Sequence, residues 1–460
     1  MENGRHIRSA WGGEGTVNIF WRRIYDTMLR WKAESNGRTA LLIEGARRTG
    51  KTVLAEQFAR MEYRSCIIID FSSAPAEVRD LFDDITDPDY IFFRLQSIYQ
   101  VRLFERESAI VFDDVQKAPL ARQAIKYLVK DRRYDYIEAG CLIAEESRRA
   151  GILIPGDETK DRLFPLDYEE FRRALGDSVT VPLLRDAFRK RMPLGDGTNS
   201  RLMRDFRIYL LVGGMPKAVD TFLNTNNLGA VDEVKREIIS CYEDDLLKMD
   251  GSGRACALFG AIPLELGRRT ASFEPGTVIP GARPVRIERL IRLMNDSMAV
   301  NAAYSSEDPG AGLALTGNPS SFRLFAGDTG LFITLAFRDR DPSENPVYRG
   351  IFDERMNTAL GFVYENAAAQ MLRSSGRELF FHTMPRNGGK KYYSTDFILS
   401  GLDGISPVEM RMSGYRTHAS LDAFCRKFRG RIRNRYVISS KDLKEEDGVT
   451  FIPVYMTMFL

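Results

Sequence analysis

A chain of 460 residues is longer than one ordinary core organises, and about three units of roughly 150 residues each are expected. With 44% hydrophobic and 28% charged residues it falls among globular proteins, which excludes disordered and fibrous architectures. The formal charge of +3, from 66 Lys and Arg against 63 Asp and Glu, is too balanced for the whole surface to engage nucleic acid, so any basic binding surface must be local.

The cysteines Cys66, Cys141, Cys241, Cys256 and Cys425 are odd in number and scattered, a pattern that fits neither a disulfide framework nor a paired-cysteine zinc site. No run approaches the roughly 18 apolar residues of a membrane helix, and Met1 to Gly13 lacks the apolar centre of a signal peptide. A cytoplasmic protein with no membrane partner is expected. His6, His382 and His418 are too dispersed for a histidine zinc site.

In chain order, Ile24, Met28 and Trp31 are spaced as on one helix face, and Ser35-Asn36-Gly37 ends that helix. The apolar run Ala40 to Glu44 stops at Gly45, and a helical pattern resumes at Val53, which gives strand, glycine loop and helix in order. Further runs at Cys66 to Phe71, Ala109 to Phe112 and Tyr136-Ile137 make four candidate parallel strands separated by helices. From Asp177 to Met249 the pattern is helical, interrupted at Val212-Gly213-Gly214-Met215-Pro216 by a stop and a new start. Gly251 to about Phe337 reads as a small α+β unit, with a winged helix as one option, and Ser343-Glu344-Asn345-Pro346 reads as a linker. Beyond it come a helix over Leu360 to Leu372 and strands near Leu379 to His382, Tyr392 to Leu399 and Pro407 to Arg411. A helix from Ser420 and strands at Tyr436 to Ser439 and Thr450 to Val454 complete a second α/β unit. The expected units are 1–38, 39–176, 177–250, 251–345 and 346–460.

Gly45-Ala46-Arg47-Arg48-Thr49-Gly50-Lys51-Thr52 meets every requirement of a phosphate-binding loop. Glycines let the backbone wrap the phosphates, successive amides point at them, Lys51 supplies a cation, and the Thr52 hydroxyl can join the Mg²⁺ shell. ATP and Mg²⁺ are therefore the expected ligands. Ala109-Ile110-Val111-Phe112-Asp113-Asp114 delivers two carboxylates from a strand end, Asp113 for the Mg²⁺ shell and Asp114 in the place of the water-activating base. Arg132 and Arg133 stand where an intersubunit arginine could act, but a solvated helix end is the preferred reading and they are not counted among the site residues.

These motifs resemble a prokaryotic AAA+ ATPase family. The shared residues are Ala40 to Lys51, Asp113-Asp114-Val115-Gln116, Tyr134 to Leu142, Ile152-Leu153-Ile154-Pro155, Phe164 to Phe171 and Gly213-Gly214-Met215-Pro216. The resemblance implies an α/β P-loop NTPase core, a helical middle region, assembly into homo-oligomers and a C-terminal domain with a restriction-endonuclease-like fold. Two departures bear on catalysis. The family's strand usually ends Asp-Glu where this chain has Asp114, and its Glu-Thr-Gly-Ser reads Glu138-Ala139-Gly140-Cys141, which removes a hydrogen-bonding side chain near the γ-phosphate. A displacement of about 1 Å costs about 100-fold, and loss of one preorganised donor about 10² to 10³, so intact binding with slow hydrolysis is expected.

In the C-terminal unit, Asp396 and Glu409, with Glu365 as a third acid, resemble the family's metal-binding carboxylates, and Arg411 stands where Lys is usual. Taken without the family they are ordinary solvated acids. The basic run Arg426 to Arg435, interleaved with Phe428 and Ile432, fits either a grip on nucleic-acid phosphates or a solvated helix with two core anchors.

Overall fold

The computed structural model describes residues 18–85, 87–141, 150–152, 156–268, 270–340, 348, 361–386, 392–412 and 418–460. The extension 1–17 with His6, the motif residues Leu142 and Leu153 to Pro155, and the linker Ser343 to Pro346 lie outside these residues. The chain divides into two compact units, 1–164 and 165–460.

The first unit is built on five parallel strands, β1 (Ala40–Glu44), β2 (Ser65–Asp70), β3 (Ser108–Asp113), β4 (Asp135–Gly140) and β5 (Glu158–Arg162), in the order β2-β3-β4-β1-β5. Both faces are covered, as a parallel sheet requires. On one face Leu41, Ile43, Val111 and Ile137 pack against Leu54, Ala55 and Phe58 of α2 (Lys51–Glu62) and against Met28 and Trp31 of α1 (Ile24–Ser35). On the other, Leu42, Ile69, Ile110 and Phe112 meet Ile91, Phe92 and Leu95 of α3 (Pro88–Tyr99) and Ile125 and Leu128 of α4 (Pro119–Asp131). The fifth strand is an addition to the four expected. Its sequence Glu-Thr-Lys-Asp-Arg has no apolar alternation, and main-chain pairing to β1 defines it. A charged strand suits the edge of a sheet, where it discourages pairing with another chain.

The second unit begins with helices α5 (Tyr168–Ala174), α6 (Thr180–Lys190), α7 (Asp196–Val212), α8 (Pro216–Thr225) and α9 (Leu228–Met249). The expected break between α7 and α8 is present, and its glycines have a packing reason. Gly213 has φ +81°, a Cβ on it would lie 2.4 Å from Asp328 Oδ1, and a Cβ on Gly214 would lie 2.1 Å from the Leu166 carbonyl. The Gly214 amide donates to Asp328 (2.6 Å), and its carbonyl accepts from Leu166 N (2.6 Å). Gly213-Gly214-Met215-Pro216 is thus the point where three chain segments meet at backbone distance.

Strands β6 (Val300–Ser306), β7 (Gly317–Ala326), β8 (Leu379–Pro385) and β9 (Tyr392–Thr395) form one sheet in the order β7-β6-β8-β9. The parallel pairing of β6 with β8 carries this sheet across the expected 345/346 boundary, so the two segments separated there share a sheet. A second sheet has the order β10-β11-β12-β14-β13, from Phe397–Gly401, Gly404–Met410, Tyr436–Ser439, Val449–Pro453 and Lys444–Glu446 respectively. Helix α10 (Gly361–Ser374) is buried along most of its length, and α11 (Ala419–Lys427) packs Leu421 and Phe424 inward. Phe428 and Ile432 join a core cluster with Phe380, Ile398, Ile405 and Phe424, while Arg426, Lys427, Arg429, Arg431 and Arg433 are exposed. Arg431 reaches Asp308 (3.1 Å) and Arg433 reaches Asp403 (3.8 Å).

Candidate functional site

The loop between β1 and α2 turns on Gly45 and Gly50. A Cβ on Gly45 would come within 2.5 Å of the Leu163 carbonyl, and Gly50 sets the start of α2 with φ +90°. Only glycine takes both positions without displacing backbone. The first bond of the helical ladder runs from Leu54 N to Gly50 O (3.0 Å), so the amides of the first turn of α2 precede the ladder. Those amides and the positive end of the α2 dipole are the arrangement that could receive an anion.

Lys51 is buried and folds back over the loop, donating to the carbonyls of Gly45 (3.0 Å) and Ala46 (2.8 Å). Thr49 Oγ1 also donates to Ala46 O (2.8 Å), so the loop is braced from within. Arg48, at φ +67°, and Arg47 complete the turn. Thr52 Oγ1 donates to Asp113 Oδ2 at 2.8 Å, which joins the start of α2 to the end of β3. Strand β4 lies between β1 and β3, and this order sets the spacing of the two motifs.

Asp113 is buried, and that burial, reinforced by repulsion from Asp114 and eased by the Thr52 hydroxyl, pushes its carboxyl up to about 6. A buried carboxylate whose hydrogen-bond partners are neutral, here the Thr52 hydroxyl and the Asp114 amide, is a strong attractor for a cation. The residues fit Mg²⁺: Thr52 and Asp113 would hold it, and it would neutralise phosphate charge there. Asp114 sits differently. It has φ +49°, is about one-third exposed, and pairs with Lys117 (3.3 Å) and with Gln116 Nε2 (3.0 Å). Ala139 pairs in register with Asp113 and is fully buried among the apolar residues facing α2, so no hydroxyl stands at that place. Arg133 is tied to Asp131 (2.5 Å) and Asp89 (2.6 Å), a paired helix end.

Two features of this unit had no signal in the sequence. Arg22 is buried and donates to the Thr49 carbonyl (3.0 Å) and the Phe164 carbonyl (2.5 Å), so a residue 27 positions ahead clamps the loop. Behind the sheet, Glu138 is fully buried near Arg122 (3.7 Å), which also meets Glu158 (3.1 Å). Burial and the Glu158 charge hold the Glu138 carboxyl well above the usual carboxylate range.

Residues 37–172 match an AAA domain. The first unit has the P-loop NTPase fold, and its matched residues are similar to AAA domains. Arg22, which braces the phosphate loop, lies outside the matched span. Residues 203–342 match a domain of unknown function, and that span holds β6 and β7 but none of β8 to β14. No curated protein matches the chain. Solved structures similar to it include the Aeropyrum pernix ORC1 protein in complex with DNA, at 13% identity, covering 74% of this chain and 94% of that one, with a TM-score of 0.28. A Vibrio cholerae protein (11%, 91% and 95% covered, TM-score 0.18) and the Pyrococcus furiosus Hef helicase domain (13%, 91% and 89%, 0.18) are also found.

In the second unit the acids expected from sequence do converge, around a pocket of ≈ 280 Å³ lined by Glu365, Asp396, Glu409, Arg411 and Arg323. Asp396 Oδ2 accepts from Met410 N (2.8 Å). Glu409 is buried, accepts from Leu421 N (3.2 Å) and is paired with Arg411. Burial pushes its carboxyl up to about 7 against the pull of Arg411, with Asp396 adding to the rise. Arg323 was not anticipated. His382 is a core residue whose Nδ1 meets the Ser306 carbonyl (2.6 Å), and it takes no part in the pocket.

Proposed function

We propose that this chain binds ATP with Mg²⁺ at residues 45–52 and hydrolyses it slowly, acting as a nucleotide-dependent switch. One observation carries the reading: the 2.8 Å Thr52–Asp113 bond joins the two expected Mg²⁺ ligands beside the loop that Lys51 folds over. Binding of the phosphate tail would draw the Lys51 ammonium from the Gly45 and Ala46 carbonyls to the phosphate oxygens, a stronger charge-assisted partner. The amides of the first turn of α2 would then complete the cradle. Slow turnover follows from Asp114, whose carboxylate is engaged by Lys117 and Gln116, and from Ala139, which offers no donor.

Affinity and turnover measured on one preparation test this: ATP·Mg binding with turnover well below the common range of about 1 to 10³ s⁻¹ is expected. Brisk hydrolysis that Lys51→Ala abolishes would overturn the slow-turnover half. The second reading, a scaffold stabilised by nucleotide that catalyses nothing, draws on the same Asp114 and Ala139 and predicts binding with zero turnover.

Within the same proposal the second unit is nuclease-like in arrangement and the partner of the switch is nucleic acid. Convergence of Asp396, Glu409 and Glu365 on one pocket supports the first, and the exposed Arg426, Lys427 and Arg429 support the second. Affinity for duplex DNA should fall with salt at a log–log slope of about 0.9 per phosphate contacted; a flat response removes the nucleic-acid partner.

A further inference from the structure

The acidic pocket of the second unit already contains a cation. Arg323, from β7, is buried, and its Nη1 lies 3.3 Å from Glu365 Oε1 and 3.5 Å from Asp396 Oδ1. The same guanidinium donates from Nη2 to Ser394 Oγ (2.7 Å) and from Nε to the Ala271 carbonyl (3.1 Å), and its carbon stands 4.6 Å from the centre of the Phe381 ring. All three nitrogens are engaged and one face is stacked, so the side chain is held in place from several sides at once.

Magnesium and its analogues demand oxygen ligands in close octahedral array and tolerate a neighbouring cation poorly. Here Glu365 and Asp396 share Arg323, the second oxygen of Asp396 is taken by a backbone amide, and both oxygens of Glu409 are engaged by Arg411 and Leu421 N. The donor set does not fit a divalent ion while Arg323 is present. We propose that Arg323 is a resident organic cation that stands in for the metal, so that the second unit gathers Glu365, Asp396 and Glu409 into one pocket without binding Mg²⁺ or Mn²⁺. The pocket is thereby not a metal-dependent hydrolytic centre.

Manganese binding followed by electron paramagnetic resonance, without nucleotide, tests the proposal in the full chain carrying Asp113→Asn, which removes the phosphate-loop ligand. That protein should bind no Mn²⁺ at concentrations up to about 1 mM. Adding Arg323→Met should create one Mn²⁺ site with affinity raised at least about tenfold, and further addition of Asp396→Asn should remove it. The proposal is overturned if the Asp113→Asn protein binds one Mn²⁺ that Asp396→Asn abolishes, or if a folded Arg323→Met protein, judged by near-UV circular dichroism, gains none. Should Arg323→Met fail to fold, the comparison of Asp113→Asn with and without Asp396→Asn decides alone.

Discussion

The two units both bring carboxylates to the end of a strand or a helix face, and they treat them oppositely. In the first unit Asp113 is buried against a neutral hydroxyl, so its charge is left for a ligand to satisfy. In the second, the partly buried Asp396 and Glu365 face the buried Arg323 guanidinium, so their charge is satisfied internally. A buried acid therefore signals a cation site only when its protein partners are neutral, and the identity of the neighbour matters more than that of the acid.

This contrast can be broken most sharply at Asp113. Asp113→Asn should abolish the Mg²⁺-dependent part of ATP affinity, a loss of about 100-fold or about 2.7 kcal/mol, while raising the stability of the nucleotide-free protein at pH 8 by about 1 to 3 kcal/mol. Titrations with and without Mg²⁺, paired with urea unfolding, check both signs. The equivalent change in the second unit should do the reverse. Asp396→Asn removes half of the countercharge around Arg323 and should lower unfolding free energy by about 1 to 3 kcal/mol with no effect on ATP affinity. Unchanged stability would mean that the Arg323 cluster is not a holding contact.

The smallest effect is that of pH. Because the folded carboxyl of Asp113 stands at about 6, above its unfolded value near 3.9, the folded state binds the proton more tightly. Its contribution to nucleotide-free stability is full below about pH 4 and is lost as pH rises to about 6. The Mg²⁺-dependent part of ATP affinity should move the other way, weakening below about pH 6 by at most tenfold per pH unit. A flat profile between pH 5 and 7 would show that Asp113 does not meet the metal.

What could be read from sequence follows from how local each feature is. The phosphate loop was legible because its glycines, lysine and threonine act within eight consecutive residues, and the order of strand, loop and helix around it is local as well. Gly213-Gly214-Met215-Pro216 was legible as a helix break, although its meeting with Asp328, 114 residues on, was not. The strand Glu158–Arg162 gave no periodic signal because pairing with β1 makes it a strand. Arg323 meets Glu365 and Asp396 from 42 and 73 residues away, and no spacing rule reaches that far. The same holds for the β6–β8 pairing, which joins segments on either side of Ser343-Glu344-Asn345-Pro346, the stretch that reads as a linker.

The account rests on phosphate capture by Lys51 and the α2 amides, and isothermal calorimetry of ATP·Mg on the full chain and on Lys51→Ala tests it most directly. One binding site in the parent, weakened at least about 100-fold in the variant, is the predicted result. No heat from the folded parent, or equal affinity in both proteins, would contradict it.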